Sequence, residues 1–373
     1  MRRPRPFKLE RYFGDKEHRA RFLLSSSDCE TMGLGELLGA ADPGSLAMWE
    51  GLRLGYTEPM GHPALRDEVA ALYPGLGPGN VLLISPGEGI LLTFAALLEA
   101  GDHVIVTYPA YQSLFEIPAA MGCSVTLWRL EPGNGRWELD LDFLERSIRS
   151  NTKLVVVNFP HNPTGFHPSR EEYGRILDIV RRRGLYLFSD EMYRFLEMEP
   201  SERLDPAAGL YERAVSLSGL SKSFGLPGLR IGWLAAGDRG LIEDFSKLRD
   251  YTTLCSGAPN EILAIAAMRA RETIIARNRG IIARNLGLAR GFFALHEGEL
   301  GWFPPRAGSV ALARLRLPVD VESFCAALFE KKGVLLLPGS VFDLEGNYFR
   351  LGFGRRDMGV GLAALDEFID ENR

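Results

Sequence analysis

Cysteine is scarce in this chain, and the spacing of the few that occur excludes two of its common structural uses. The chain has four: Cys29, Cys123, Cys255 and Cys325. Since they lie far apart and form no Cys-x-x-Cys pair, neither a disulfide framework nor a zinc ribbon is expected, and reduced thiols fit a cytoplasmic protein. His161 and His167 have no partners at metal-ligand spacing, so the sequence predicts no metal site.

A strong excess of one charge and long apolar runs are also lacking. The net charge of −5 at pH 7 gives no reason to expect nucleic acid or an anionic membrane as a partner. No apolar run reaches the length of a membrane span, and none of signal-peptide length follows the basic N-terminus. At 373 residues the chain exceeds the usual size of a single core, so two domains are expected.

Between residues 81 and 236, short apolar segments alternate with helical patterns. Strands are predicted at 81–85, 103–107, 124–130, 153–158, 185–189, 214–217 and 231–236. Helices are predicted between the first five of them, at 89–99, 112–121, 141–149 and 170–183. Continuous apolar runs linked by helices indicate a largely parallel sheet covered on both faces, and such sheets bind ligands beyond the carboxyl ends of their strands. A smaller alternation near the C-terminus predicts a second domain.

The loop after the sixth predicted strand carries the most informative residues. Lys222 lies there among glycines and small side chains, with no acidic neighbour in sequence. Desolvation in such surroundings favours the neutral amine, which can attack a carbonyl and hold it as a Schiff base. Arg230 follows at the start of an apolar strand, where a guanidinium needs an anion. The alternative is a lysine in a surface loop and an arginine at a strand end.

The segment Ser221-Lys222-Ser-Phe-Gly-Leu-Pro-Gly-Leu-Arg230-Ile-Gly closely resembles the lysine motif of the aspartate aminotransferase family, the fold type I enzymes that use pyridoxal 5′-phosphate (PLP). The resemblance implies an α/β fold of the PLP-dependent transferase type I: a mostly parallel seven-stranded sheet with helices on both faces, plus a smaller α/β C-terminal domain. Residues 1–44 would form an N-terminal arm and part of the small domain, 45–255 the large PLP-binding domain, and 256–373 the small C-terminal domain.

The same resemblance assigns roles within this loop. It implies that Lys222 holds PLP and that Ser221 and Arg230 contact the PLP phosphate. Many relatives have a hydroxyl three residues before the lysine, where this chain has Gly219. That phosphate contact is therefore either missing or made by Ser218.

A second phosphate contact is predicted where Ser85-Pro-Gly87-Glu88-Gly89 enters a helix, because amides at a helix N-terminus are a ready phosphate site. The stretch is similar to the family's phosphate loop, which implies that Gly87, Glu88 and Gly89 donate backbone amides to PLP. A carboxylate beside a phosphate is repulsive, so the side chain of Glu88 is expected to turn away. A dinucleotide fingerprint is disfavoured, because Leu92 stands at its third glycine position.

Three further motifs each follow a predicted strand: Thr107-Tyr-Pro-Ala-Tyr111, Asn162-Pro-Thr-Gly165 and Asp190-Glu-Met-Tyr193. The resemblance implies that Tyr111 stacks on the pyridine ring, that Asn162 and Tyr193 hydrogen-bond its 3-oxygen, and that Asp190 pairs with its nitrogen. An anion there keeps the nitrogen protonated, so the ring can accept electrons. Read alone, Tyr111 is consistent with core packing and Asn162 with an ordinary turn.

Other positions are predicted to bind the substrate or a second subunit. Tyr56 resembles the family tyrosine that reaches the PLP phosphate of the neighbouring subunit, which implies a homodimer with shared active sites. Arg350 resembles the arginine that forks onto the substrate α-carboxylate, with a plain salt bridge as the alternative. Asn162 is a further substrate-binding candidate. Ser26 lies near the entry of that carboxylate by family position, although its polar segment would also suit a helix cap.

Taken together, the motifs imply a PLP-dependent aminotransferase that moves an amino group between an L-amino acid and a 2-keto acid, with Lys222 as general base. In dicarboxylate-specific relatives, an arginine from about residues 255–258 binds the substrate side chain. This chain has Cys, Ser, Gly and Ala there, so aspartate and glutamate are less expected. The alternative is a lyase or cyclase that uses the same cofactor for β- or γ-elimination, replacement or cyclisation, as in C–S lyases and capreomycidine-forming enzymes. A PLP-dependent transcriptional regulator is disfavoured, because there is no spare length for its winged helix.

Overall fold

The structure, a computed structural model, describes residues 2–14 and 16–372. Its main sheet has eight strands in the order β1-β8-β7-β6-β5-β2-β3-β4. Their bounds are β1 Val81–Ile84, β2 His103–Tyr108, β3 Ser124–Pro132, β4 Trp137–Leu139, β5 Thr152–Asn158, β6 Tyr186–Asp190, β7 Ala214–Gly219 and β8 Gly232–Ala236. The five central strands are parallel, whereas β8, β1 and β4 join by antiparallel pairing.

The predicted fold class is confirmed, and all seven predicted strands are present within a few residues of their expected bounds. The predicted count of seven is one too low. The additional strand, β4, is three residues long and pairs with the end of β3 at the edge of the sheet. Three residues are too few for their apolar–polar alternation to stand out in the sequence, which is why the pattern does not reveal this strand.

Helices cover both faces of this sheet, and the strands divide their side chains between them. From β1, Leu82 and Ile84 join one apolar cluster, and Val81 and Leu83 join another on the opposite face. The helices of the chain are α1 Lys8–Gly14, α2 Leu34–Gly39, α3 Pro43–Glu50, α4 Pro63–Ala70, α5 Pro86–Leu97, α6 Ser113–Met121, α7 Leu141–Ser147, α8 Arg170–Arg182, α9 Ala207–Leu210, α10 Arg239–Arg249, α11 Ala258–Arg269, α12 Arg271–Leu295, α13 Val321–Lys332 and α14 Met358–Asp370.

A second, smaller sheet lies in the C-terminal part of the chain, as expected. Its order is β11-β12-β10-β9, all antiparallel. The strands are β9 Leu300–Trp302, β10 Val310–Leu315, β11 Leu337–Pro338 and β12 Tyr348–Gly352. Phe22 bridges to Val334 beside this sheet, and Leu24 lies in its core. The N-terminal segment therefore packs on the C-terminal part, while the domain limits at 44 and 255 remain predictions.

Within the described residues, no helix is both long enough and apolar enough to cross a bilayer.

Candidate active site

The carboxyl ends of the central strands bring the predicted cofactor residues to one edge of the sheet. Asn158, Asp190 and Leu217 lie in register at the ends of β5, β6 and β7. The loops that follow carry Asn162, Tyr193 and Lys222, the first two of them buried and the lysine half-buried. Three motifs that are far apart in sequence thus meet at one place, as the parallel topology requires.

Asp190 is a buried carboxylate, and its environment disfavours the charged form. Its Oδ1 accepts a hydrogen bond from Met192 N at 3.2 Å. Burial raises the pKa of Asp190 to about 7; the neighbouring charge of Glu191 adds to this rise, whereas the Met192 amide and Lys222 oppose it. No lysine, arginine or histidine of residues 2–14 and 16–372 forms an ion pair with it. A carboxylate in this state gains most from a cation placed against it.

Asn158 fixes the loops on either side of it, a role that sequence reasoning missed. Its Nδ2 donates to Asp190 O at 3.0 Å, and its Oδ1 accepts from Asn162 N at 2.9 Å. The signal was present in the sequence, since a polar amide that ends a buried strand needs partners of its own.

Backbone hydrogen bonds hold the loop of Lys222 in place, and the side-chain amine faces a hydroxyl. Lys222 O accepts from Gly225 N at 3.1 Å and from Cys29 N at 3.4 Å. Gly225 has a φ of 66°, and a Cβ there would lie 2.6 Å from Glu30 O, so this turn requires glycine. Lys222 Nζ donates to Ser27 Oγ at 2.8 Å. Ser221 is buried beside it.

Ser218 is the alternative donor for the phosphate contact that Gly219 cannot make. Ser218 Oγ donates to Glu191 O at 3.3 Å and is buried. A Cβ at Gly219 would lie 2.8 Å from Gly232 Cα, where β7 meets β8. Both alternatives, a missing contact and a contact made by Ser218, remain predictions.

Glu88 lies in the first turn of α5, but its carboxylate is hydrogen-bonded to residues outside this helix. Glu88 turns toward the end of α10, where its carboxylate accepts from Thr253 Oγ1 at 2.9 Å and from the Thr252 hydroxyl. The predicted orientation of this side chain is thereby confirmed. Gly87 is exposed, and Gly89 packs on β7, where a Cβ would lie 3.0 Å from Leu217 Cδ1.

Two predicted phosphate residues, Arg230 and Tyr56, are exposed to solvent. Arg230 stands two residues before β8 rather than inside a strand; it is exposed, in the left-handed region with a φ of 53°, and Nη1 donates to Pro227 O at 3.0 Å. Tyr56 is 90% exposed. Both roles remain predictions.

Tyr111 lies between the sheet and the N-terminal helix. Its ring centroid is 4.8 Å from that of Phe7, and its hydroxyl donates to Glu10 Oε1 at 3.1 Å. Burial raises the pKa of Tyr111, and the charge of Glu10 raises it further. Residues just before and within α1 therefore close over the aromatic ring predicted to stack on PLP.

Arg350 is buried in β12 and keeps part of its hydrogen-bonding capacity free. Nε and Nη2 donate to Ser25 O at 3.1 and 2.7 Å, and Nη1 donates to Asn162 Oδ1 at 3.0 Å. A guanidinium has five N–H groups, so one remains on each terminal nitrogen, which suits a bidentate carboxylate. Burial lowers the pKa of Arg350 to about 10. No described carboxylate lies within salt-bridge distance of it, so the alternative of a plain salt bridge is wrong.

Residues 25–27, here called the serine segment, join this arginine to the lysine. Ser26 Oγ donates to Asp28 Oδ1 at 2.6 Å and accepts from Arg355 Nη2 at 3.0 Å. The hydroxyl of Ser27 reaches Lys222, and the substrate-binding role of Ser26 remains a prediction. The segment does not cap a helix, since α2 begins after Gly33 without a side-chain cap.

These residues fit PLP. The buried Asp190 lacks a described cationic partner, which a protonated pyridine nitrogen would supply. The α5 N-terminus is free of the Glu88 carboxylate, which suits a phosphate. Lys222 lies between these two features in the fold, on the loop that follows β7.

Comparison with known proteins agrees with this fit. Residues 35–364 match the family model "Aminotransferase class I and II". Capreomycidine synthase of Streptomyces vinaceus is 34% identical over 366 residues, covering 96% of this chain and 92% of that protein. A PLP-dependent aminotransferase from Streptococcus suis 89-1591 superposes with a TM-score of 0.92 at 32% identity, covering 100% of this chain and 99% of the other. The PLP-dependent cyclase OrfR superposes with a TM-score of 0.91 at 31% identity and the same coverage.

The predicted family is thus confirmed by sequence and by structure. The chain belongs to the class I and II aminotransferases, a fold type I family whose members depend on PLP.

Proposed function

We propose that this chain is a PLP-dependent enzyme that takes the Cα proton from an L-α-amino acid and then acts on the side chain, by elimination, replacement or ring closure. The proposal of Cα chemistry rests on the contacts that the serine segment makes. The segment contacts Arg350 through Ser25 O and Lys222 through Ser27 Oγ. A substrate carboxylate held by Arg350 therefore places its Cα on the side of the pocket where the lysine amine lies.

PLP, when bound, delocalises the negative charge that proton removal leaves at Cα. The chain's own groups serve that chemistry at fixed places. Asp190 would pair with the pyridine nitrogen of bound PLP, and Asn162 and Tyr193 would hydrogen-bond its 3-oxygen. Lys222 takes the Cα proton and holds it on Nζ, and Arg350 keeps the carboxylate still meanwhile.

The charged groups around the pocket disfavour a substrate with a side-chain carboxylate. Arg355 is paired with Asp28 at 3.0 Å. Arg249, which contacts residues 253–256, already donates to Thr253 Oγ1, Pro59 O and Ser256 Oγ. Arg355 therefore already has a carboxylate partner, and residues 255–258 supply no cationic side chain for the distal carboxylate that a transaminase using glutamate must bind.

Two named relatives support side-chain chemistry, and their matches extend into the N-terminal residues. Residues 2–34 lie outside the matched family model, yet they supply Ser27 to Lys222 and Glu10 to Tyr111. The match to capreomycidine synthase covers 96% of the chain, and that to the cyclase OrfR all of it. Both matches therefore extend into this segment, and both proteins have names that describe synthesis or cyclisation.

Transamination, the principal expectation from sequence, is the second candidate. It has the support of the family description and of the Streptococcus suis structure, which also covers the N-terminal segment. In that case Lys222 would hold the Cα proton on Nζ and give it up again, and the product would be a 2-keto acid.

The two candidates are separated by products. The PLP-loaded protein is mixed anaerobically with a panel of L-amino acids, with Lys222→Ala as control, and products are identified by mass spectrometry. Release of ammonia, a thiol or water, or a cyclised amino acid, without any need for a 2-keto acid supports the proposal. Loss of the visible cofactor band that only a 2-keto acid restores shows transamination instead. A protein that binds no PLP would overturn both.

A further inference from the structure

We propose that Ser27 is a positioning residue for Lys222: its hydroxyl holds the free amine in both protonation states and keeps it directed at the reacting carbon. This inference rests on the proposed function in one respect, that Lys222 moves the Cα proton. Its structural basis is the hydrogen bond of 2.8 Å from Lys222 Nζ to Ser27 Oγ.

Ser27 is held in place by its neighbours, so the hydroxyl is a fixed point and the lysine is the mobile partner. Ser27 O accepts from Ser309 Oγ at 2.6 Å. On one side Gly352 N donates to Leu24 O at 2.6 Å, and on the other Cys29 N donates to Lys222 O. A lysine amine on its four-carbon stem samples many positions unless a rigid group holds it.

Two glycines make this path of the backbone possible. Gly352, the last residue of β12, and Gly354 lie against the segment. A Cβ at Gly352 would overlap Ser26 O, and one at Gly354 would overlap Asp28 O. Only glycine at both positions lets residues 26–28 pass close enough to bring Ser27 to the lysine.

A hydroxyl is a suitable hydrogen-bond partner for Lys222, because the lysine amine must gain and lose a proton. An ammonium group has three donors and no acceptor, and a neutral amine has a lone pair. A serine hydroxyl accepts from the first and donates to the second. A carboxylate in its place would hold the ammonium form more strongly and oppose return of the proton.

The other hydroxyls of the segment do not perform this task. Ser26 Oγ is engaged by Asp28 and Arg355. Ser25 Oγ is buried and has no hydrogen-bond partner among the described residues. Ser27 is therefore the member of the segment that acts on the lysine.

The first test needs no substrate. In the PLP-free protein, the rate at which Lys222 is reductively methylated by formaldehyde and borohydride is followed by peptide mass spectrometry across a pH series. A neutral acceptor stabilises a charged donor more than a neutral one, so Ser27→Ala lowers the pH midpoint of the reaction by about 0.5–1 unit. Ser27→Thr keeps a hydroxyl and leaves the midpoint unchanged, and so does Ser124→Ala, a substitution of an exposed serine at the start of β3.

The second test uses the PLP-loaded protein and the amino acid that the panel identifies. Exchange of the Cα hydrogen with deuterated water is measured by mass spectrometry. We expect Ser27→Ala to lower the exchange rate constant about 10- to 100-fold with KM changed less than about twofold, since the loss is one of orientation. Ser27→Thr restores most of the rate. In Lys222→Ala protein supplied with methylamine, adding Ser27→Ala has no further effect, because the two residues act as a unit.

The outcomes are separable. An unchanged midpoint in Ser27→Ala overturns the inference, and so does equal loss in the alanine and threonine variants. A loss of rate that persists in the methylamine-supplied Lys222→Ala protein shows a role independent of the lysine and also overturns it. If no amino acid exchanges its Cα hydrogen, the proposed function fails, and the pH midpoint still decides whether Ser27 governs the amine. Thermal denaturation of each variant identifies any that fail to fold.

Discussion

Asp190 is a single residue of the site whose burial makes its charged form unfavourable, and a cation of a bound cofactor would relieve this. Its effect on the pH dependence of stability can be measured. Burial raises the pKa of its carboxyl to about 7 in the folded protein, against about 3.9 in an unfolded chain. The folded state therefore holds a proton where the unfolded state has lost it. This contribution to stability is complete below the unfolded pKa and is lost as the pH rises through about 7.

We predict that the PLP-free wild type loses up to about 4 kcal/mol relative to Asp190→Asn between pH 4 and pH 8, since three pKa units correspond to about that energy. Asparagine has the same shape and does not titrate, so the difference between the two proteins isolates this carboxyl from other titrating groups. Urea denaturation at several pH values measures it. A difference that stays constant with pH would show that Asp190 is charged and otherwise paired.

At the scale of residues, those that lie in contiguous motifs could be predicted from the sequence. Which of two adjacent serines faces the lysine could not. Lys222, Asp190 and Arg350 each stand in a local pattern, so their positions could be read from the sequence. Ser26 and Ser27 are adjacent and chemically alike. Which of them faces the lysine depends on Gly352 and on Arg355, more than 300 positions away, and no local pattern contains that information.

At the scale of elements, α1 is held at the mouth of the site by few contacts. Tyr12 Oη donates to Leu336 O at 2.9 Å, and Lys8 N donates to Gln112 Oε1 at 2.9 Å. None of the seven residues of α1, all of them described, is buried. Phe13 nevertheless lies 5.9 Å from the guanidinium carbon of Arg350. The helix thus spans the main sheet and the C-terminal part while adding little to either core.

We predict that deleting residues 2–14 lowers the thermal midpoint by no more than a few degrees, because little apolar surface is exposed. The same deletion lowers kcat/KM by about tenfold or more, because Glu10 and Phe13 no longer close over Tyr111 and Arg350. Differential scanning calorimetry and the assay defined by the amino-acid panel measure the two effects. Full activity of the shortened protein would remove α1 from the site.

The strands were predicted more accurately than the arm, for a physical reason. A buried parallel strand must be apolar on both faces, so its composition reveals it without knowledge of its neighbours. The segment before α2 has no such constraint. Its polar residues suit a helix cap as well as a binding site, and only the tertiary contacts distinguish the two.

At the scale of the whole molecule, one exposed apolar patch is suited to a second copy of the chain. It consists of Leu54, Tyr56, Tyr251 and Leu254, which are 84, 90, 90 and 39% exposed. Its two loops are tied together, since Thr57 Oγ1 donates to Ser256 O at 2.9 Å. A patch of this kind is typical of a subunit interface, and it contains the tyrosine predicted to reach the partner's phosphate.

We predict that Tyr251→Asp converts a dimer into a monomer and weakens PLP retention, because a buried unpaired carboxylate opposes association. Leu295→Asp is the matched control, since this residue is 77% exposed at the end of α12 and outside the patch. Sedimentation velocity gives the oligomeric state, and cofactor absorbance after gel filtration gives retention. A wild type that sediments as a monomer would contradict the shared-site prediction.

The sequence separation of the contacts made by residues 25–27 governs when the site can form. The bonds from Lys222 to Ser27 and from Arg350 to Ser25 join positions 195 and 325 residues apart. During translation the three serines are therefore synthesised long before Lys222 and Arg350. They cannot form these hydrogen bonds while the central sheet assembles. A chain whose translation stops before residue 350 has Lys222 but lacks Arg350, the arginine proposed to bind the substrate, so the proposed site is among the last parts of the molecule to be completed.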